Sequence, residues 1–232
     1  MRRAHRSVSA DYFANLMHIP DGFIAPQMVL PLYALAAGLW AYGAKRVARD
    51  LDEATLPWLA SLTAASFALS FIALPLPGGS SAHVTGVGLL AASFGIWNAF
   101  MAASMVFAIQ ALLFGDGGVT TLPLNALAMG FAGALAARGL FLAVRRLHSG
   151  LALFLAGWIG LFLPALLIAL ALGAQPLIAH DAAGAPLYFP FGWSVTLPAL
   201  LIPHALLGLG EGALTVLGGG LIERLRLRYR HD

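Results

Sequence analysis

Apolar residues run along this chain in stretches long enough to cross a lipid bilayer, separated by short polar or Gly/Pro-rich segments. Residues 24–44 form the first stretch, which ends in Lys45, Arg46 and Arg49. Pro57 to Leu74 form the second. Pro75, Pro77, Gly78, Gly79, Ser80 and Ser81 follow and predict an irregular segment, because neither Pro nor Gly sustains a helix interior. A short third piece, Val84 to Phe94, is separated by Gly95 from a fourth that reaches Phe114, where Gly115-Asp116-Gly117-Gly118 breaks the pattern. Residues 123–144, Leu151 to Leu172 and Val195 to Ile222 complete the series. About 20 apolar residues span a bilayer as a helix, so the expected fold is an all-α membrane bundle of about seven transmembrane helices, the third too short to cross unaided. Small residues such as Gly130, Gly133 and Ala137 recur at near-helical spacing and permit close helix contacts.

Composition and charge sharpen this picture. The 232 residues are 60% hydrophobic and 10% charged, with a mean hydropathy of +0.84, whereas soluble domains carry ~25% charged residues. There is no cysteine, which excludes disulfides, thiolate zinc sites and iron–sulfur clusters and leaves histidine, backbone nitrogen and carboxylate as metal donors. The formal charge of +3 is spread over loops that flank the spans and implies no nucleic-acid partner. If the chain alternates across the membrane with Met17 outside, the cytoplasmic ends hold Lys45/Arg46/Arg49, Arg138/Arg145/Arg146 and Arg224, Arg226, Arg228 and Arg230. The external loops then hold His83, Asp116, His180 and Asp181 but no Lys or Arg, as the positive-inside rule requires. The expectation is a multi-pass protein of the cell (inner) membrane, with a single membrane domain over residues 17–223 and a basic cytoplasmic tail over 224–232. Residues 1–16 fit poorly. They would put Arg2, Arg3 and Arg6 outside and lack the apolar run of 7–15 residues found in a signal peptide. The expectation is that translation starts at Met17 or that the extension is removed; if it stays, it weakens the metal site.

That site begins at Met17-His18-Ile19-Pro20-Asp21-Gly22-Phe23. With Met17 at an amino terminus, its α-amine, the His18 amide and the His18 imidazole Nδ1 close two fused chelate rings on one metal ion. A fourth in-plane position stays open. Such a planar nitrogen set suits Ni(II) or Cu(II) and serves Mg(II) or Ca(II) poorly. His83 shares the external side and is the candidate for the fourth position; taken alone it would be an ordinary loop histidine. Asp116 reads first as a turn carboxylate and second as an acceptor that orients a ligand imidazole. Gln110 and Asn125, on the spans flanking that turn, read as helix-packing amides near the site. His204 and Glu211 are seven residues apart, about two turns along one face of the last span. A structural, hydrogen-bonded pair is favoured there, with a second ion site or a proton relay left open. His180 and Asp181 read as solvated loop. Neither a phosphate loop, a serine-hydrolase elbow nor an H-E-x-x-H motif is present. The chain is therefore expected to be no enzyme and to hold no tight cofactor; nucleotide hydrolysis, if used, belongs to another subunit.

These residues resemble the NikM/CbiM family, the metal-capturing membrane subunits (S components) of nickel and cobalt energy-coupling-factor (ECF) transporters. MHIPDGF at Met17–Phe23 is similar to the family's amino terminus, and PGGSSAH at Pro77–His83 to its second ligand segment. QALLFGDGG at Gln110–Gly118, NALAMG at Asn125–Gly130 and HALLGLGEGALT at His204–Thr215 resemble its later signatures in the same order. The resemblance implies an S-component-like seven-span bundle that works with a transmembrane coupling subunit, two cytoplasmic ATPases and often a small accessory membrane protein. It implies Met17, His18 and His83 as ligands to a transported Ni(II) or Co(II). Pro-Asp-Gly after Met-His-Ile leans toward nickel members, without excluding cobalt destined for cobalamin synthesis. In the family the ligand methionine is the first residue, whereas here it is the seventeenth. Two rival readings differ in class: a membrane enzyme or assembly factor of cobalamin synthesis acting through His204 and Glu211, and an ion-coupled secondary carrier without ATPases.

Overall fold

A computed structural model of the protein describes residues 18–76 and 80–228. Met17, the extension 1–16, residues 77–79 and Arg230 lie outside the described residues. Helix α1, Pro26–Asp50, opens with proline in its first turn, where the missing N–H costs nothing. Helix α2, Leu56–Ser70, follows a turn in which the Asp52 carboxylate accepts the Thr55 N–H at 2.6 Å. Strands β1, Ala73–Leu76, and β2, Ser80–His83, pair antiparallel with Ala73 opposite His83 and Leu76 opposite Ser80. Helix α3, Val87–Phe94, lies between Gly86 (φ 69°) and Gly95 (φ 86°). Helix α4, Ile96–Ile109, runs into a π-helical stretch, Gln110–Phe114. Helix α5, Leu122–Asn125, a second π-helical stretch, Ala126–Ala132, and helix α6, Gly133–Val144, form one continuous rod. Helix α7, Ser149–Gly173, continues into the short α8, Gln175–Ile178, and α9, Trp193–Arg228, closes the described chain.

Every apolar stretch expected from the sequence contains a helix, but they are not equivalent. Among the described residues, four helices are long and apolar enough to cross a membrane: Ile96–Phe114, Leu122–Val144, Ser149–Ile178 and Trp193–Leu225. Helix α3, with eight residues, rises only about 12 Å. The second stretch stops at Ser70, four residues short of its expected end, because Ala73 and Leu74 belong to β1. The described residues of the segment expected to be irregular, 75–76 and 80–81, therefore lie in paired strands. A two-stranded ribbon consists of edges only, the setting in which a strand tolerates proline.

The bundle is apolar outside and partly polar within. Leu35, Met105, Leu135, Leu206 and Leu217 are exposed, whereas Gln110, Gln175, Glu211, Asn125 and Thr121 are among its most deeply buried side chains. Helices α3, α4, α6 and α7 enclose a core of Val87, Leu90, Ala99, Phe100, Ala134 and Ala156. Small residues set its tightest crossings. A Cβ on Gly88 would lie 2.6 Å from Gly157 Cα and 2.7 Å from the Ala156 oxygen; one on Gly133 would lie 2.9 Å from the Gly160 oxygen. Both crossings bring backbone against backbone, which no rotamer change relieves. Gly88→Ala is expected to destabilise the detergent-solubilised protein by about 1–3 kcal/mol, read as a lowered melting temperature. Gly139→Ala, whose Cβ meets nothing within 4 Å, is expected to melt like the wild type, and equal melting of the two variants would contradict the crossing.

Candidate metal site

The site forms where the segment before α1 folds against the loop after α4. The Ile19 carbonyl accepts the Gly118 N–H at 2.9 Å, the Thr121 hydroxyl and, at 3.4 Å, the Asn125 side-chain amide. Two residues on, the Asp21 carboxylate accepts the Val119 N–H at 3.2 Å, the Thr120 N–H at 2.7 Å and the Thr120 hydroxyl. On the other flank, Phe189 N–H donates to the Phe23 carbonyl at 3.2 Å, and the buried Gln175 takes the Ala25 N–H at 2.8 Å. The loop's glycines make this docking possible. Gly117 has φ +85°, and its Cβ would lie 2.8 Å from that of His18; a Cβ on Gly118 would lie 2.3 Å from the Asp21 nitrogen.

This docking carries His18 into the protein. Its side chain is 1% exposed, and its ring meets the His83 ring edge-on at 4.8 Å and the Phe107 ring at 4.9 Å. Neither nitrogen of the His18 ring has a hydrogen-bond partner among the described residues. His18 Nδ1 lies 3.7 Å from an Asp116 carboxylate oxygen, too far for a hydrogen bond. His83 is 4% exposed, and its Nδ1 lies 3.1 Å from the Val84 carbonyl. Donation from Nδ1 leaves Nε2 with its lone pair, the tautomer of a metal-binding imidazole.

The other expected residues divide between this site and its surroundings. Gln110 donates to Ser70 Oγ at 2.6 Å, and its backbone carbonyl accepts the Asp116 N–H at 3.0 Å, so it shapes the loop that carries Asp116. Asn125 holds the Ile19 carbonyl. His204 places Nδ1 2.7 Å from the Leu200 carbonyl, while Glu211 accepts from Thr85 and Gly86; the two are satisfied separately rather than by each other. Asp181 closes a local turn by accepting the Ala183 and Ala185 N–H groups, next to the exposed His180. Asp21, Thr121 and Phe107 belong to the site although spacing did not single them out. Their partners are distant in sequence, and Asp21 entered only as part of the Met17–Phe23 motif. Met17 falls outside the described residues. Among the described residues no group of three or more His, Cys, Asp or Glu side chains is placed to hold a metal ion.

An apolar exterior around a buried two-histidine site defines a membrane protein with an internal polar centre. The chain belongs to the CbiM family: the family model described as "Cobalt uptake substrate-specific transmembrane region" matches residues 18–229. It is 39% identical over 220 residues to the fused nickel transport protein NikMN of Rhodobacter capsulatus, an alignment that covers 90% of this chain and 62% of that relative. The chain thus spans less than two thirds of that relative's length. It is 32% identical over 150 residues to the cobalt transport protein CbiM of Thermosipho melanesiensis, covering 64% of each. A crystal structure of a truncated transition metal transporter superimposes with a TM-score of 0.85 at 35% identity, covering 90% of this chain and 99% of that one. These two relatives are named as transport proteins, one for nickel and one for cobalt, and the chain shares with the family a set of helices long and apolar enough to cross a membrane.

In the hairpin, outside the spanning helices, His83 is pushed down to about 3, first by burial and next by the adjacent His18 ring. The fold therefore contains a neutral ring, whereas the unfolded chain takes up a proton near pH ~6.5. Between these values the unfolded state binds more protons, so stability falls as the pH drops through ~6.5 toward the folded value. Melting of metal-free protein is expected to become less stable across that window, with a smaller slope in His83→Gln. The same slope in both would contradict the burial of a neutral His83.

Proposed function

We propose that this chain is the metal-capturing membrane subunit of an ATP-driven nickel and cobalt uptake transporter of the ECF type. The observation that carries this reading is the pairing of His18 and His83, buried ring to ring at 4.8 Å although they come from separate segments of the chain. The positive-inside distribution supports placing this end of the bundle on the external side, with the C-terminus cytoplasmic. The ion is a transported substrate. His18 supplies its amide nitrogen and imidazole Nδ1, His83 its free ring nitrogen, and Met17 its amine in a form of the protein that begins there. An all-nitrogen planar set favours Ni(II) over Co(II) by the ordinary order of divalent affinities, and the R. capsulatus relative is named for nickel. The chain has no nucleotide-binding motif, so the energy enters through partners: a transmembrane coupling subunit and two cytoplasmic ATPases, with room for a small accessory membrane subunit.

Amide and imidazole must lose their protons to bind the ion, so affinity falls on acidification. Titration of the detergent-solubilised protein with NiCl2 or CoCl2, followed by calorimetry, tests the site. His18→Ala and His83→Ala are each expected to abolish high-affinity binding while the protein stays folded and monodisperse. Wild-type affinity in either folded variant would remove that residue from the site.

A further inference from the structure

The last spanning helix reaches up to the turn that follows His83. Glu211, 1% exposed in the middle of α9, accepts the Thr85 N–H at 3.1 Å on one carboxylate oxygen. On the other it accepts the Gly86 N–H at 2.8 Å and the Thr85 hydroxyl at 3.4 Å. The two backbone N–H groups can only donate, so each side-chain oxygen of Glu211 accepts at this turn. Thr85 and Gly86 lie two and three residues beyond His83 and lead directly into α3. The turn has little slack: Gly86 has φ +69°, and a Cβ there would lie 2.1 Å from Ser66 Oγ. The other end of the linkage is equally fixed. The Glu211 carbonyl accepts the Thr215 hydroxyl at 2.8 Å, and a Cβ on Gly157 of α7 would lie 2.7 Å from the same oxygen.

We propose that Glu211 is a positioning residue for the metal site: from α9 it anchors the Thr85–Gly86 turn and thereby sets the place of the His83 ring. The proposal rests on the reading of His83 as a metal ligand. A consequence is that displacement of α9 moves a ligand, so the grip on the ion responds to a helix that runs the depth of the bundle. Glutamine at 211 keeps one acceptor but turns an N–H2 toward a backbone N–H, and aspartate keeps the charge but withdraws it by one methylene.

The test is calorimetric titration of the full chain in detergent with NiCl2 for wild type, Glu211→Gln, Glu211→Asp and His83→Ala, with the melting temperature of each metal-free protein measured alongside. Loss of an outer partner of a metal ligand weakens affinity roughly 10- to 100-fold. That loss is expected in Glu211→Gln, and in Glu211→Asp should the glutamine variant fail to fold. Nickel affinity within about twofold of wild type in a folded Glu211 variant, with only the melting temperature lowered, would make the residue a structural cap and overturn the proposal. If His83→Ala also binds like wild type, the ligand reading itself fails; if His83→Ala loses binding and the Glu211 variants do not, the positioning role alone fails.

Discussion

The docking of the Ile19 carbonyl and the Asp21 carboxylate onto the Gly118–Thr121 loop is the constraint on which the site depends. Together they take hydrogen bonds from Gly118, Val119, Thr120, Thr121 and Asn125, and His18 is the residue immediately before the first of them. These bonds hold the segment that carries the His18 imidazole, 1% exposed, against His83 and Phe107. Gly117 and Gly118 are where they are because the strap passes too close for any Cβ.

The same logic governs the bundle beneath. Backbone groups in a membrane must be satisfied by protein, since lipid offers no partner. The ends of helix α3 are buried, and both are met by side chains from other helices. Glu211 takes the N–H groups just before it, and Arg138 donates to the Ala92 carbonyl in its last turn at 2.6 Å. The two π-helical stretches end on the loop that bears Asp116 and begin just after Asn125. Such distortions are frequent at functional sites.

Much of this was legible in the chain, and the exceptions have physical causes. The spans were visible because a bilayer imposes length and hydropathy on each helix separately, a local property. The hairpin at Ala73–His83 was not, because two prolines and two glycines in the stretch argue against regular structure until a partner strand is present. For the site, the chelating potential of His18 is a property of adjacent atoms, and Pro/Gly/Ser-rich flanks drew attention to His83. The packing of Phe107 against His18, the clasp of Asp21 on Thr120 and the grip of Glu211 on Gly86 each depend on a fold-level meeting of distant segments. His204 and Glu211 illustrate the limit of periodicity: their spacing puts them on one face of α9, yet each turns to a different partner.

X-ray absorption spectroscopy at the nickel edge, on nickel-loaded protein and on His83→Ala, reads the ligand set directly. The account predicts a four-coordinate planar nickel with nitrogen donors, imidazole scattering from two rings and no sulfur, and the loss of one ring's contribution in the variant. A six-coordinate, oxygen-rich ion with no imidazole scattering would contradict it.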